Sequence, residues 1–167
     1  RTYKAKHIKS FNTALDKVKQ NLEQGNLFYS QGDREVYSTS YPDLLLSKVR
    51  YDSASEVSEK IDLLFKGYES KDWSSDGIHR FSILLKVADE LIEKREMLSA
   101  MIMYEAGKSI EEALADVDEA IDFINFYCRE QISYQKEYNV EPLGVVGVIA
   151  PWNFPLAIPV GMTIAPL

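Results

Sequence analysis

The sequence predicts an α/β fold, mainly helical, with a few strands and a sheet left incomplete. Three observations carry this. Apolar residues recur at three- and four-residue spacing through most of the chain from Ile8 to Cys128, the period of helices with one buried face. Ser53-x-x-Glu56 and Ser109-x-x-Glu112 are capping boxes, in which Ser accepts from a free amide while Glu reaches back. Last, the apolar run Val145 to Ala150 leads through a turn into another apolar stretch. Strand, turn and helix make half of a βαβ unit, and no returning strand follows.

The elements follow in order. Ile8, Phe11, Leu15, Val18 and Leu22 predict an amphipathic helix that Gly25 can end. Glu35 to Thr39 and Leu44 to Tyr51 hold β-branched and aromatic residues around Tyr41-Pro42-Asp43, which predicts a hairpin. The first capping box opens a helix with Val57, Ile61, Leu64 and Phe65, stopped at Gly67. Ser70 to Gly77 reads as a polar loop around Trp73. A long helix carries Ile78, Phe81, Leu84, Leu85, Ala88, Leu91 and Ile92, and a shorter one runs from Glu96 to Glu105, closed at Gly107. The second capping box opens a helix to about Gln131. Ala113, Val117, Ala120, Ile121, Ile124 and Cys128 form its main stripe, and Phe123 and Phe126 share a neighbouring face with Asp116 and Glu119. A helix apolar on two faces is packed on two sides. Gln131 to Val140 is rich in Tyr and β-branched residues and predicts a half-exposed strand. Val145 to Ala150 predicts a buried strand, and Ala157 to Leu167 a helix.

Composition narrows the function. The chain is 46% hydrophobic, enough for a core, so it is not a disordered tail. A net charge of -7 argues against nucleic acid or an anionic membrane surface, which attract basic faces. No apolar run is long enough to span a membrane. One cysteine, Cys128, excludes an internal disulfide and suits a reducing compartment such as the cytoplasm. The start lacks Met and a signal-peptide core, so the chain is expected to be cut at both ends.

The strongest chemical signal is Val145 to Pro155. Pro151 and Pro155 each fix one φ angle and lack an amide donor, and each pushes the residue before it toward extended geometry. Such a turn holds Asn153 with little mobility. A fixed carboxamide suits oxyanion stabilisation, because it is aimed before charge develops. The bland alternative is an Asn that caps a helix or satisfies turn amides. Glu119, one turn before Phe123, is expected to be partly desolvated, which raises a carboxyl pKa and suits proton transfer or gating; the alternative is an exposed helix Glu. Cys128 reads as a buried structural thiol, because it lies on an apolar stripe with no His near it in sequence. His7 and His79 are isolated, so no metal site is expected. Gly144-x-x-Gly147 precedes the strand and lacks a third glycine, so it is no dinucleotide fingerprint. Lys108 reads as a residue at a helix start.

From Glu141 through Pro-Leu-Gly-Val-Val-Gly-Val-Ile-Ala-Pro-Trp-Asn-Phe to Pro155, the chain resembles the aldehyde dehydrogenase superfamily. His79-Arg80-Phe81 through Glu105-Ala106-Gly107-Lys108 resembles the family's helical pair ending in Glu-x-Gly-Lys. Ala115 to Tyr127 is similar to the Δ1-pyrroline-5-carboxylate (glutamate-semialdehyde) dehydrogenase branch, and the link from Tyr127 to Pro142 resembles that of bifunctional proline utilisation A proteins. The resemblance covers roughly residues 35 to 167. Residues 1–34, outside it, read as an N-terminal helix and linker, and the resemblance implies 35–167 as the N-terminal part of an NAD-binding domain whose nucleotide-binding sheet is incomplete here.

The function implied is NAD-dependent oxidation of glutamate semialdehyde to glutamate, in a homo-oligomer completed by the rest of the polypeptide. Asn153 matches the oxyanion-holding Asn. Ile149, Ala150, Pro151 and Trp152 match the backbone against the nicotinamide end of NAD. Phe154 matches an aromatic wall of the substrate tunnel, and Glu119 a carboxylate near the substrate. The family's catalytic Cys, its downstream Glu, the segment that meets the NAD ribose and the Gly-rich pyrophosphate turn are not in this sequence, so this chain alone is expected to be inactive. The rival expectation is a non-catalytic, acidic helical module that binds a partner protein.

Overall fold

The computed structural model describes residues 2–70, 77–138 and 140–167. Its helices are α1 (Thr2–Glu23), α2 (Ala54–Ser70), α3 (Gly77–Glu93), α4 (Arg95–Ala106), α5 (Ile110–Glu137) and α6 (Ala157–Ile164). Three short strands, β1 (Tyr29–Ser30), β2 (Arg34–Tyr37) and β3 (Leu45–Val49), lie between α1 and α2. The mainly helical α/β class holds. None of the described helices is long and apolar enough to cross a membrane.

Two cores organise the chain. In the first, Val18 and Leu22 of α1 meet Leu46 of β3 and Ala100 and Tyr104 of α4. Helix α1 ends as its glycine predicts: Gly25 takes a φ of 83°, where a side chain would be strained. The predicted hairpin forms, with Glu35 opposite Lys48 and Val36 opposite Ser47, and an irregularity follows Val36. Strand β1 was not foreseen. It pairs parallel with the other edge of β3, giving the order β1-β3-β2. Its two residues are too few for a periodic signal. Buried Ser38 fastens the sheet to α4, donating from Oγ to the Tyr104 carbonyl at 2.6 Å and accepting the Tyr41 amide at 3.2 Å.

The second core is built on α5. Val117, Ile121, Ile124 and Cys128 pack with Phe81, Leu84 and Ala88 of α3, Ile102 of α4 and Ile164 of α6. Helix α5 is thus packed on more than one side, as its two apolar faces predict. Both capping boxes form. Ser53 and Ser109 each accept the amide three residues on, and Glu56 and Glu112 accept the Ser53 and Ser109 amides at 2.7 and 2.9 Å.

Four expectations fail. Helix α2 runs through Gly67 to Ser70, since a mid-helix glycine costs only about 1 kcal/mol. Gln131 to Glu137 continues α5 instead of forming a strand; Tyr and β-branched residues disfavour a helix only mildly, and Tyr134 and Tyr138 pair their rings, 5.8 Å apart, across the helix end. Val145 to Ala150 joins no ladder. A strand exists only with a hydrogen-bonded neighbour, and β1, β2 and β3 pair only with one another. Helix α6 stops at Ile164, short of Leu167. The expected loop around Trp73 lies outside the described residues.

Candidate active site

The proline-bracketed segment from Ala150 to Leu156 lies directly before α6, and α5 holds it in place. Asp116 of α5 is the anchor. Its Oδ1 accepts the backbone N–H of Ala157, the first residue of α6, at 2.7 Å. Its Oδ2 accepts the Lys108 ammonium, also at 2.7 Å. The Asp116 side chain is fully buried and that of Lys108 is 13% exposed. A buried charge is tolerated only when paired and hydrogen-bonded, and here both oxygens are engaged. The carboxylate also sits at the positive end of the α6 dipole. Lys108 reaches in the other direction as well. Its Nζ lies 4.0 Å from the centre of the Phe154 ring, within cation–π range.

Asn153 lies just before these two holds. It is exposed, and among the described residues its carboxamide makes no hydrogen bond. The bland reading of Asn153 as a helix cap does not survive. The N-cap of α6 is Leu156, without a side-chain cap bond, and the first free amide goes to Asp116 instead.

Helix α6 lies tight against α5. A Cβ on Gly161 would come within 2.7 Å of the Phe123 ring, so glycine permits the approach. Phe123, Tyr127, Val146, Val148 and Met162 border a cavity of about 460 Å³ with a mainly apolar lining. Leading into the turn, Ile149 is 90% exposed and Trp152 84%; Pro151 is exposed and Ala150 half-buried. These residues form an open apolar ledge.

Glu119 lies three residues beyond Asp116 on the same side of α5, but it is exposed and makes no hydrogen bond or ion pair among the described residues. The burial expected beside Phe123 is not there: the Phe123 ring lies against Gly161 of α6 and leaves Glu119 open to solvent. Cys128 is buried in the α5 core, and burial pushes its thiol pKa up, as befits a structural cysteine. His79 is exposed, and no metal-binding cluster of His, Cys, Asp and Glu occurs among the described residues.

Sequence reasoning missed Asp116 and gave Lys108 too small a role. The signal was present. Ala113, Asp116, Val117 and Ala120 follow helical spacing, so a carboxylate stands within the buried stripe and requires a partner.

The aldehyde dehydrogenase family matches residues 30–167. The 1-pyrroline-5-carboxylate dehydrogenase of Staphylococcus saprophyticus is 31% identical over 98% of this chain. A Thermus 1-pyrroline-5-carboxylate dehydrogenase with bound NAD superimposes with a TM-score of 0.73 at 25% identity, over 93% of this chain and 34% of that one. Proline utilization A from Bdellovibrio bacteriovorus superimposes with a TM-score of 0.74 at 26% identity, over 92% of this chain and 18% of that one. The chain spans about a third of the length of the curated relatives it matches, 35% for the staphylococcal protein.

Proposed function

We infer the function from one premise: this chain belongs to the aldehyde dehydrogenase family. We read it as the N-terminal portion of an enzyme that oxidises glutamate semialdehyde, the open form of Δ1-pyrroline-5-carboxylate, to glutamate with NAD. Residues 1–34 are its N-terminal helix and linker, and 35–167 the first part of its NAD-binding domain. The setting we assign is a cytoplasmic homo-oligomer. A single buried cysteine suits a reducing compartment.

The observation that carries the reading is the Asn153 carboxamide. It is exposed, unbonded among the described residues, and followed directly by two holds, at Phe154 and at Ala157. An amide NH2 so placed can donate to an aldehyde oxygen as that oxygen gains negative charge. Phe154 walls the substrate's path, and Glu119 stands near the substrate. The exposed faces of Ile149 and Trp152, with Ala150 and Pro151 between them, fit a flat ring such as nicotinamide. NAD, when bound, supplies a hydride acceptor. The start of α6 does not suit the pyrophosphate, because the Asp116 carboxylate already takes its first amide and would repel phosphate. The pyrophosphate site and the thiolate nucleophile therefore belong to the rest of the polypeptide; Cys128 is too buried to serve.

The test is turnover by the full-length protein. With glutamate semialdehyde and NAD it should produce NADH and glutamate in equal amounts. Binding of other proteins without any NADH formation would overturn the reading in favour of an interaction module.

A further inference from the structure

We propose that Asp116 and Lys108 are positioning residues of the reaction: together they set the Asn153 turn so that its carboxamide meets the developing oxyanion. The inference rests on Asn153 acting as that donor. Asn153 is flanked by Phe154, whose ring lies 4.0 Å from the Lys108 ammonium. Four residues after Asn153 comes Ala157, whose amide donates to Asp116 at 2.7 Å. The Lys108–Asp116 bond, also 2.7 Å, joins the two holds into one latch rooted in α5.

Besides Leu156, which packs against the α5 core at the end of the segment, this latch is the fastening of the turn seen among the described residues. Its own side chains at Trp152 and Asn153 are exposed and unbonded, and α6 begins without a side-chain cap of its own. A latch used only for stability would need no particular placement of Asn153. This one grips the chain on one side at the adjacent residue and again at the start of the helix that follows. Its orientation also matters. The Asp116 carboxylate is consumed by an amide and an ammonium, so it neither competes for the Asn153 NH2 nor places a bare negative charge beside the oxyanion.

The experiment is a double-mutant cycle in the full-length enzyme, read in kcat and KM for glutamate semialdehyde, with melting temperature on the same preparations. Asp116→Asn keeps size but removes the charge that orders both partners. It should lower kcat by about 10–100-fold, the cost of a misplaced catalytic group, with KM changed less. In an Asn153→Ala background the same substitution should change kcat less than about twofold, because residues acting as a unit are not additive. Asp116→Glu should restore part of the rate.

Should Asp116→Asn fail to fold, Lys108→Gln carries the cycle. It leaves the Asp116–Ala157 bond and removes the hold on Phe154, and the same background dependence is expected. An equal kcat loss in both backgrounds, or no loss in either, overturns the positioning role while leaving the oxyanion role of Asn153 standing. An unchanged kcat in Asn153→Ala itself overturns both.

Discussion

An asparagine that bonds nothing among the described residues can act on what arrives, and this governs what its loss should do. Asn153→Ala in the full-length enzyme removes a donor that meets charge only in the transition state. We expect kcat to fall about 10²–10³-fold, the cost of one such donor in an oxyanion hole. The melting temperature should hold, because the side chain caps no helix and contributes no bond to the fold. A lower melting temperature with kcat intact would return Asn153 to turn formation. Cys128→Ala should behave in the opposite way. It opens a small void among α5 core residues and should lower stability by about 1 kcal/mol, with kcat per folded molecule unchanged; a large kcat loss would show a chemical role. The settings of both residues were legible from sequence, one a proline-bracketed turn and the other an apolar stripe. For Asp116 the need of a partner was legible, from its place in the buried stripe, but not the partner: an amide 41 residues away is a pairing that no local pattern encodes.

Elements were legible where the signal is local and failed where it depends on a neighbour. Capping boxes are self-contained, and both formed at the expected residues. Strand β1 and the run from Val145 to Ala150 turn on pairing partners, which periodicity cannot supply. The capping boxes also set an acid limit. The Ser53 backbone N–H, then Arg50 and the Ser53 hydroxyl, hold the Glu56 carboxyl down to about 2 from an ordinary 4.5. Glu112 is lowered likewise, first by the Ser109 backbone amide. A carboxyl lowered on folding stabilises the folded state above its unfolded pKa and loses that contribution as pH falls through its folded one. The start of α2 should therefore loosen from a pH of about 4.5 down to about 2, seen as faster hydrogen exchange at the Ser53 and Glu56 amides. Glu56→Gln should abolish that pH dependence; if it persists, another group is responsible. Packing sets a second limit at this scale. In Gly161→Ala the new methyl would meet the near side of the Phe123 ring at 2.7–3.1 Å, and overpacking of this kind costs about 1–3 kcal/mol. Phe123→Leu in the same background should recover part of the loss, a result that chemical denaturation can read.

At the scale of the whole molecule, a polypeptide of residues 1–167 leaves much apolar surface open. Helix α2 buries none of its residues, and Val57, Ile61, Leu64 and Phe65 face outward. Leu143, Ile149 and Trp152 are more than four-fifths exposed, and an apolar cavity of about 410 Å³ lies between α2 and residues 144–148 and 163–167. Surface of this kind is normally covered by protein. The opposing force is the net charge of -7, which drives copies apart. At physiological ionic strength the screening length is only about 8 Å, so this repulsion fades at short range while the gain from covering apolar area remains. Such a polypeptide should therefore bind a hydrophobic dye and self-associate, and association should grow from low to high salt as screening removes the repulsion. It should also form no NADH from glutamate semialdehyde, having no accessible thiol. Sedimentation at low and high salt, together with dye binding, tests the physical part. A dye-free monomer at both salts, melting in one sharp transition, would mean that the exposed faces need no cover and that the chain is complete as a binding module.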